Sequence, residues 1–320
     1  PEHCRARPPP FVLDPRRPGL FVFSRPVHTA TSGGEGHLSG MITLMLLLSQ
    51  AALAGAPWVR GPGEAYTKMG WSHFRADASV APGGLVLDDV RYQGNSGTFY
   101  GEVGLAKWAH AVVLLPFSSG QNRVDDVVFV NRGFGDGLLG VVLGAPVGPV
   151  PVSLTLRSKL PLYDNAELLR YGDAGQRFPA LGDGQVDLDA VVSAGSGISL
   201  GPVRGWVMGE LGYRHRTEWW MGDGSSPDRQ LADGMLWTAQ LGWSPRWRDR
   251  DLGWLFVQGD GVGSMVDDAV TRRLVQLSSG VGVKVWKGLA VELGGSSVVW
   301  AEAAAPGWGL SAGASWTWGS

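Results

Sequence analysis

Cysteine is all but missing: Cys4 is the single one in 320 residues. That excludes a disulfide framework and any multi-cysteine metal centre. Lysine is scarce, and no Ala/Leu/Glu/Lys tract is present to build a helical protein. Net charge is −2, so no basic field draws in nucleic acid. One long apolar run exists, Met41-Ile-Thr-Leu-Met-Leu-Leu-Leu48. It falls short of the roughly 20 residues a spanning helix needs. Of the histidines, His3, His28 and His37 sit in an atypical leader, and His73, His110 and His215 show no metal-ligand spacing. In Ser72-His73 and Arg214-His215 adjacent side chains point to opposite faces of a strand, so neither makes a nucleophile–base pair. No enzyme and no cofactor is expected.

What the chain has is glycine and tryptophan, 49 and 15 residues. With few helix formers, that composition points to β structure with aromatic anchoring. Beyond residue 58 the sequence resolves into alternating segments of about 9–15 residues, the length of tilted membrane-crossing strands. They fall near 64–76, 97–107, 110–117, 135–146, 151–162, 184–198, 203–219, 232–244, 252–262, 272–286, 288–301 and 307–318. Connections alternate long (77–96, 118–134, 163–183, 220–231, 263–271) and short (108–109, 147–150, 199–202, 245–251, Lys287). Only Glu302 to Pro306 breaks the rhythm. The expected fold is an all-β, transmembrane, antiparallel up-and-down barrel of about twelve strands.

Phase within the strands decides which side faces lipid. Val152, Leu154, Leu156 and Leu160 share one side, and Arg157 and Lys159 take the other. An Arg or Lys facing mid-bilayer costs about 2–4 kcal/mol, so this phasing is constrained. The expected lumen-lining set is Lys68, Glu102, Arg157, Lys159, Asp187, Asp189, Arg204, Glu210, Arg214, Arg216, Lys284 and Glu292. Gly182-Asp-Gly-Gln185 reads as a turn leading into a strand. It runs into Val186-Asp-Leu-Asp189, a strand pattern, where a phosphate loop would require a helix. Trp219, Trp220, Trp237, Trp243, Trp300, Trp316 and Trp318 lie near strand ends, where an interfacial girdle belongs. The final strand puts Trp308, Leu310, Ala312, Ala314, Trp316 and Trp318 on one face. Trp316 and Trp318 are the expected barrel-assembly signal, with Gly319 and Ser320 after them.

The front end differs. Residues 1–40 read as a disordered or artefactual leader. Residues 41–54 read as a signal peptide, with the small-x-small site Ala52-Leu53-Ala54. A single barrel domain over 55–320 is expected.

Between 133 and 219 four segments succeed one another: Gly133-Phe-Gly-Asp136, Lys159-Leu-Pro161, Gly182-Asp-Gly-Gln-Val-Asp187 and Gly212-Tyr-Arg214. Their order resembles a family of outer-membrane barrels named for the meta-pathway ("MetA-pathway") of phenol degradation. The resemblance implies passage of small hydrophobic compounds and no catalytic residue. The expected partners are outer-membrane lipid, the barrel-assembly machinery and a small hydrophobic solute, with no nucleic acid and a monomeric state. The expected location is the Gram-negative outer membrane. Val127-Val-Phe-Val130 reads as an apolar loop segment able to fold inward or pack on the rim. A closed structural or surface-display barrel, an outer-membrane lipid-modifying enzyme and a soluble β-sandwich stand as alternatives.

Overall fold

The computed structural model describes residues 57–80, 85–87, 90–124, 127–147, 150–163, 178–200, 203–220, 231–247, 250–266 and 271–319. The leader over 1–40 and the signal segment over 41–54 lie outside the described residues. No helix among the described residues is long and apolar enough to cross a membrane.

Twelve antiparallel strands form the wall. They are β1 (Ala65–Ala76), β2 (Val90–Ala106), β3 (Ala109–Val124), β4 (Asp136–Val147), β5 (Val150–Pro161), β6 (Gln185–Leu200), β7 (Val203–Trp220), β8 (Gly234–Ser244), β9 (Gly253–Ser264), β10 (Arg273–Lys284), β11 (Leu289–Glu302) and β12 (Trp308–Trp318). Each pairs with its sequence neighbours, and β1 also pairs with β12, from Ala65↔Trp318 to Arg75↔Trp308. That seam closes the sheet and leaves no edge, as a strand structure without access to water requires.

The wall is apolar outside. Leu105, Leu139, Leu156, Val192, Leu211, Leu241, Val257, Leu277, Leu293 and Leu310 are exposed there. The opposite parity is buried and often polar, with Ser72, Thr98, Thr155, Ser193, Thr238, Gln258 and Gln276 facing in. The start of β1 and the end of β12 lie at one end of the barrel, where short connections join successive strands; this is the turn end, and the opposite one is the loop end.

Two hairpin strands run further than their periodicity indicates. β2 spans 17 residues and β3 spans 16. The lower half of β3 pairs with β4, from Ala109↔Leu143 to Leu114↔Leu138. Its upper half pairs with a ribbon strand, Val127–Phe134, from Phe117↔Phe134 to Val124↔Val127. Gly135 joins ribbon to wall, and the register shifts by one residue there. Val127-Val-Phe-Val130 is therefore strand, not loop. Its β-branched and aromatic side chains suit a pleated surface, and its partners are the polar residues that made 118–123 look like a loop.

At the loop end an apolar group closes over the interior. Phe74, Ala76, Tyr92, Leu274, Val298, Ala304 and Ala305 pack together. Ala304 forms a bridge to Val80.

Candidate functional site: the barrel interior

Strand pairing turns the interior charges into ordered rungs. Arg157 on β5, Asp189 on β6 and Arg214 on β7 are register partners. One step towards the loop end, Lys159, Asp187 and Arg216 repeat the plus–minus–plus order. Arg157 Nε donates to Asp189 Oδ2 at 2.8 Å, and Arg214 Nε donates to Asp189 Oδ1 at 2.7 Å. Lys159 Nζ lies 2.8 Å from Asp187 Oδ2, and Arg216 Nη1 lies 3.1 Å from it. The two rungs carry an excess of two cations, and Asp136 and Asp183 offset it. Asp183 bonds Lys159 directly and accepts from Arg216 Nη1 at 2.6 Å. Asp136 lies 3.6 Å from Lys159 Nζ. Four cations and four carboxylates thus form one buried network across β4 to β7 and the segment 178–184, with the buried Arg272 close to Asp183, Asp136 and Arg216. Buried charges need such pairing, because leaving water costs several kcal/mol per ion.

Asp183 belongs to the segment 178–184, which lies inside the loop end. Gly184 takes φ +81°, a turn conformation open to glycine, and its N–H donates to Tyr163 Oη at 2.7 Å. Tyr163 in turn donates to Asp136 at 2.8 Å. Burial opposes ionisation of Asp183, but Lys159 and Arg216 outweigh it and hold its carboxyl well below the usual range. Burial pushes the Tyr163 phenol well above its ordinary value, keeping it a donor.

Below the rungs the charge balance changes. Ser193, Glu210, Thr238, Asp260 and Gln276 are successive register partners across β6 to β10. Ser193 Oγ donates to Glu210 at 3.1 Å, and Thr238 Oγ1 donates to Asp260 at 3.0 Å. Gln258 Nε2 also donates to Asp260, at 2.8 Å. Among the described residues neither Glu210 nor Asp260 has an ion-pair partner. Both line a small cavity of about 40 Å³ together with Val191, Leu236, Leu274, Arg157 and Arg214. Its lining mixes apolar side chains with charged ones, and its volume has room for about one water.

Towards the turn end the inner wall becomes flat and aromatic. A Cβ on Gly242 would lie 2.0 Å from the Trp206 ring, and one on Gly282 would lie 2.1 Å from the Trp254 ring. A Cβ on Gly280 would lie 2.6 Å from the Phe256 ring. Each ring therefore lies on the bare backbone of the next strand. Trp206 Nε1 donates to Gln240 at 2.6 Å, so the ring's polar edge is satisfied.

On the opposite wall the segment 57–64 crosses the inside of the turn end. Pro57 sits at Gly195 of β6, Val59 at Gly144 of β4 and Gly61 at Gly104 of β2. Gly104 N donates to Glu64 O at 2.9 Å. Arg60 bonds the Glu102 carboxylate and stands 4.8 Å over the Tyr66 ring. Tyr100 Oη donates to the other Glu102 oxygen at 2.6 Å. Lys68 and Glu292 bond each other nearby.

The expected charged set is thus brought into separate places. Arg157, Lys159, Asp187, Asp189, Arg214 and Arg216 share the rungs. Glu210 joins the cavity, while Lys68, Glu102 and Glu292 lie near the turn end. Arg204 and Lys284 share the inward parity but stand exposed at the turn-end rim, where Lys284 Nζ lies 3.6 Å from Asp251. Sequence reasoning missed Asp136, Asp183, Asp260, Arg60, Trp206, Trp254 and Phe256. For Asp260 a signal was present: Trp254, Phe256, Gln258 and Asp260 all alternate with Leu255 and Val257. Among the described residues no group of three or more His, Cys, Asp or Glu is placed to hold a metal ion.

No protein-family profile matches the chain, and no curated protein matches its sequence. Solved barrels do match in shape. The chain is similar to the COG4313 outer membrane channel from Pseudomonas putida F1, with a TM-score of 0.58, 15% identity, and coverage of 83% of this chain and 98% of that one. The NanC porin gives a TM-score of 0.45, 5% identity, and coverage of 78% and 98%. The CymD monoaromatic hydrocarbon channel gives a TM-score of 0.37, 9% identity, and coverage of 81% and 88%. The fold of this chain is that of a twelve-stranded outer-membrane β-barrel.

Proposed function

We propose that the barrel resides in a Gram-negative outer membrane, as a monomer placed there by the barrel-assembly machinery. Its proposed role is a narrow channel that carries small hydrophobic or amphiphilic molecules through the lumen. The observation that carries this reading is the inner wall formed by Trp206, Trp254 and Phe256 on Gly242, Gly282 and Gly280. A water-filled porin has a polar interior, and twelve strands enclose less room than the 16–18 of wide porins. An aromatic wall instead gives an apolar solute a surface to track along. The resemblance to the phenol meta-pathway barrels agrees with that solute class. No catalytic role is assigned.

The test is flux in proteoliposomes. Uptake of a radiolabelled monoaromatic or short-chain amphiphile should exceed that of a sugar of equal size. Equal uptake of the two would remove the proposed solute class. A second reading, a closed structural barrel, draws on the segment 57–64 across one end and the apolar group over the other. Absence of all solute and ion flux would establish it instead.

A further inference from the structure

The outward face of β1, β2, β3 and the ribbon changes character in a fixed order towards the loop end. One cross-strand row holds Trp71, Gly97, Phe117 and Phe134. Trp71, Phe117 and Phe134 are exposed, and Phe117 and Phe134 meet edge to face at 5.5 Å. Such a row marks the membrane interface. The next row holds His73, Asn95, Ser119 and Arg132. The one above it holds Arg75, Gln93, Gln121 and the exposed Val130 of the ribbon. The highest holds Arg91 and Arg123, direct register partners, with the exposed Val128 beside them. Rows two residues apart are separated by about 7 Å along a strand.

Among the described residues this face carries four arginines against one carboxylate, Asp77, while Asp88, Asp89, Asp125 and Asp126 lie outside the described residues. Asp77 is taken by Arg75, at 3.0 Å. Among the described residues Arg91, Arg123 and Arg132 have no ion-pair partner. Like charges directly opposite across a strand pair destabilise it, so the Arg91–Arg123 pair works against the sheet that carries it. Arg75, Arg91 and Arg123 line one open groove with Gln93, Gln121 and the Arg75-paired Asp77.

We propose that this face binds the phosphate groups of an outer-leaflet glycolipid of the lipid A type. The aromatic row sits at acyl-chain depth, and the arginines stand just above it, at headgroup height. Guanidinium groups bind phosphate through paired, charge-assisted hydrogen bonds. A phosphate between Arg91 and Arg123 turns their repulsion into shared attraction. Arg132, a few residues nearer the membrane on the neighbouring strand, is placed for a second phosphate of the same lipid. The glutamines between them offer amide donors and acceptors to the sugars.

This inference rests on the outer-membrane reading, and the experiment separates the two. The full chain is folded into phosphatidylcholine vesicles and then titrated in detergent with deep-rough lipopolysaccharide, with binding read by native mass spectrometry. The dephosphorylated glycolipid should bind at least tenfold more weakly than the phosphorylated one. The R91Q/R123Q/R132Q chain should lose the same factor while folding to the same extent, and the Arg123→Gln chain should lose part of it. Wild-type affinity rising as salt is lowered supports the phosphate contact. Equal affinity for both lipids, or an unchanged affinity in the triple variant, overturns the site while leaving the barrel reading intact. A chain that never enters bilayers overturns both.

Discussion

Arg60, ahead of the first strand, bonds the carboxylate of Glu102 on β2 from inside the barrel. With the bond from Gly104 N to Glu64 O, this contact ties the segment 57–64 to the wall at the point where Gly104 makes room for it. The contact is part-buried, so it is screened less than a surface pair.

Arg60→Ala should therefore loosen the crossing segment. Single-channel recordings should show ion conductance several-fold above wild type, with more frequent open events. Tyr100→Phe removes only the second Glu102 contact and should shift conductance less. Conductance unchanged by Arg60→Ala would show that the other backbone contacts hold the segment unaided.

Asp189→Asn separates the charged rungs from the cavity charges. Asp189 is the register partner of both Arg157 and Arg214 and is fully buried. Removing its charge strands the buried Arg157 and leaves Arg214 with Asp187 alone, at 3.7 Å, a loss of about 3–5 kcal/mol for a broken buried pair. Urea unfolding in lipid vesicles should show the midpoint falling sharply. Glu210→Gln keeps the Ser193 bond and strands no cation, so its midpoint should move little.

Gly242→Val tests the aromatic wall. A Cβ there overlaps the Trp206 ring, so the ring must leave the wall and enter the lumen. Uptake of an apolar solute should drop at least several-fold while the folded fraction, read by heat modifiability, stays high. Trp206→Ala with Gly242→Val removes the clash and should restore passage in part.

Replacing Trp316 and Trp318 together by Ser addresses assembly. Both are exposed on the outward face of β12, with ring centroids 6.2 Å apart. The amount of barrel in the outer-membrane fraction should decrease, with unassembled chain degraded. Undiminished assembly would remove the terminal aromatics as a signal.

Strand identity was legible because period-two alternation survives wherever one face meets an apolar environment. Leu154 and Leu156 against Arg157 and Lys159 fix β5 this way, and every wall strand was located. The upper parts of β2 and β3 were not legible. There Gln93, Asn95, Gln121 and Arg123 occupy the outer face, so both faces are polar and the alternation vanishes although the backbone pairing continues. The inner tryptophans were hidden for a different reason. Trp206 and Trp254 stand outside the expected girdle set, and nothing marks their rings as part of an inner wall until the glycine across the strand pair, Gly242 or Gly282, is known. The loop carboxylate Asp183 was hidden too, since its partners Lys159 and Arg216 lie 24 and 33 residues away.

The seam between β1 and β12 also sets a temporal order. It joins Ala65 to Trp318, almost the full span of the described chain. Contacts between such distant positions form late, because the intervening chain must be organised before they bring any gain. Until they form, β1 and β12 are the two unsatisfied edges of an open sheet, and either can pair with a foreign strand. The pairing of β12 with β1 thus completes the barrel. An interruption anywhere between the two leaves a sheet that cannot close.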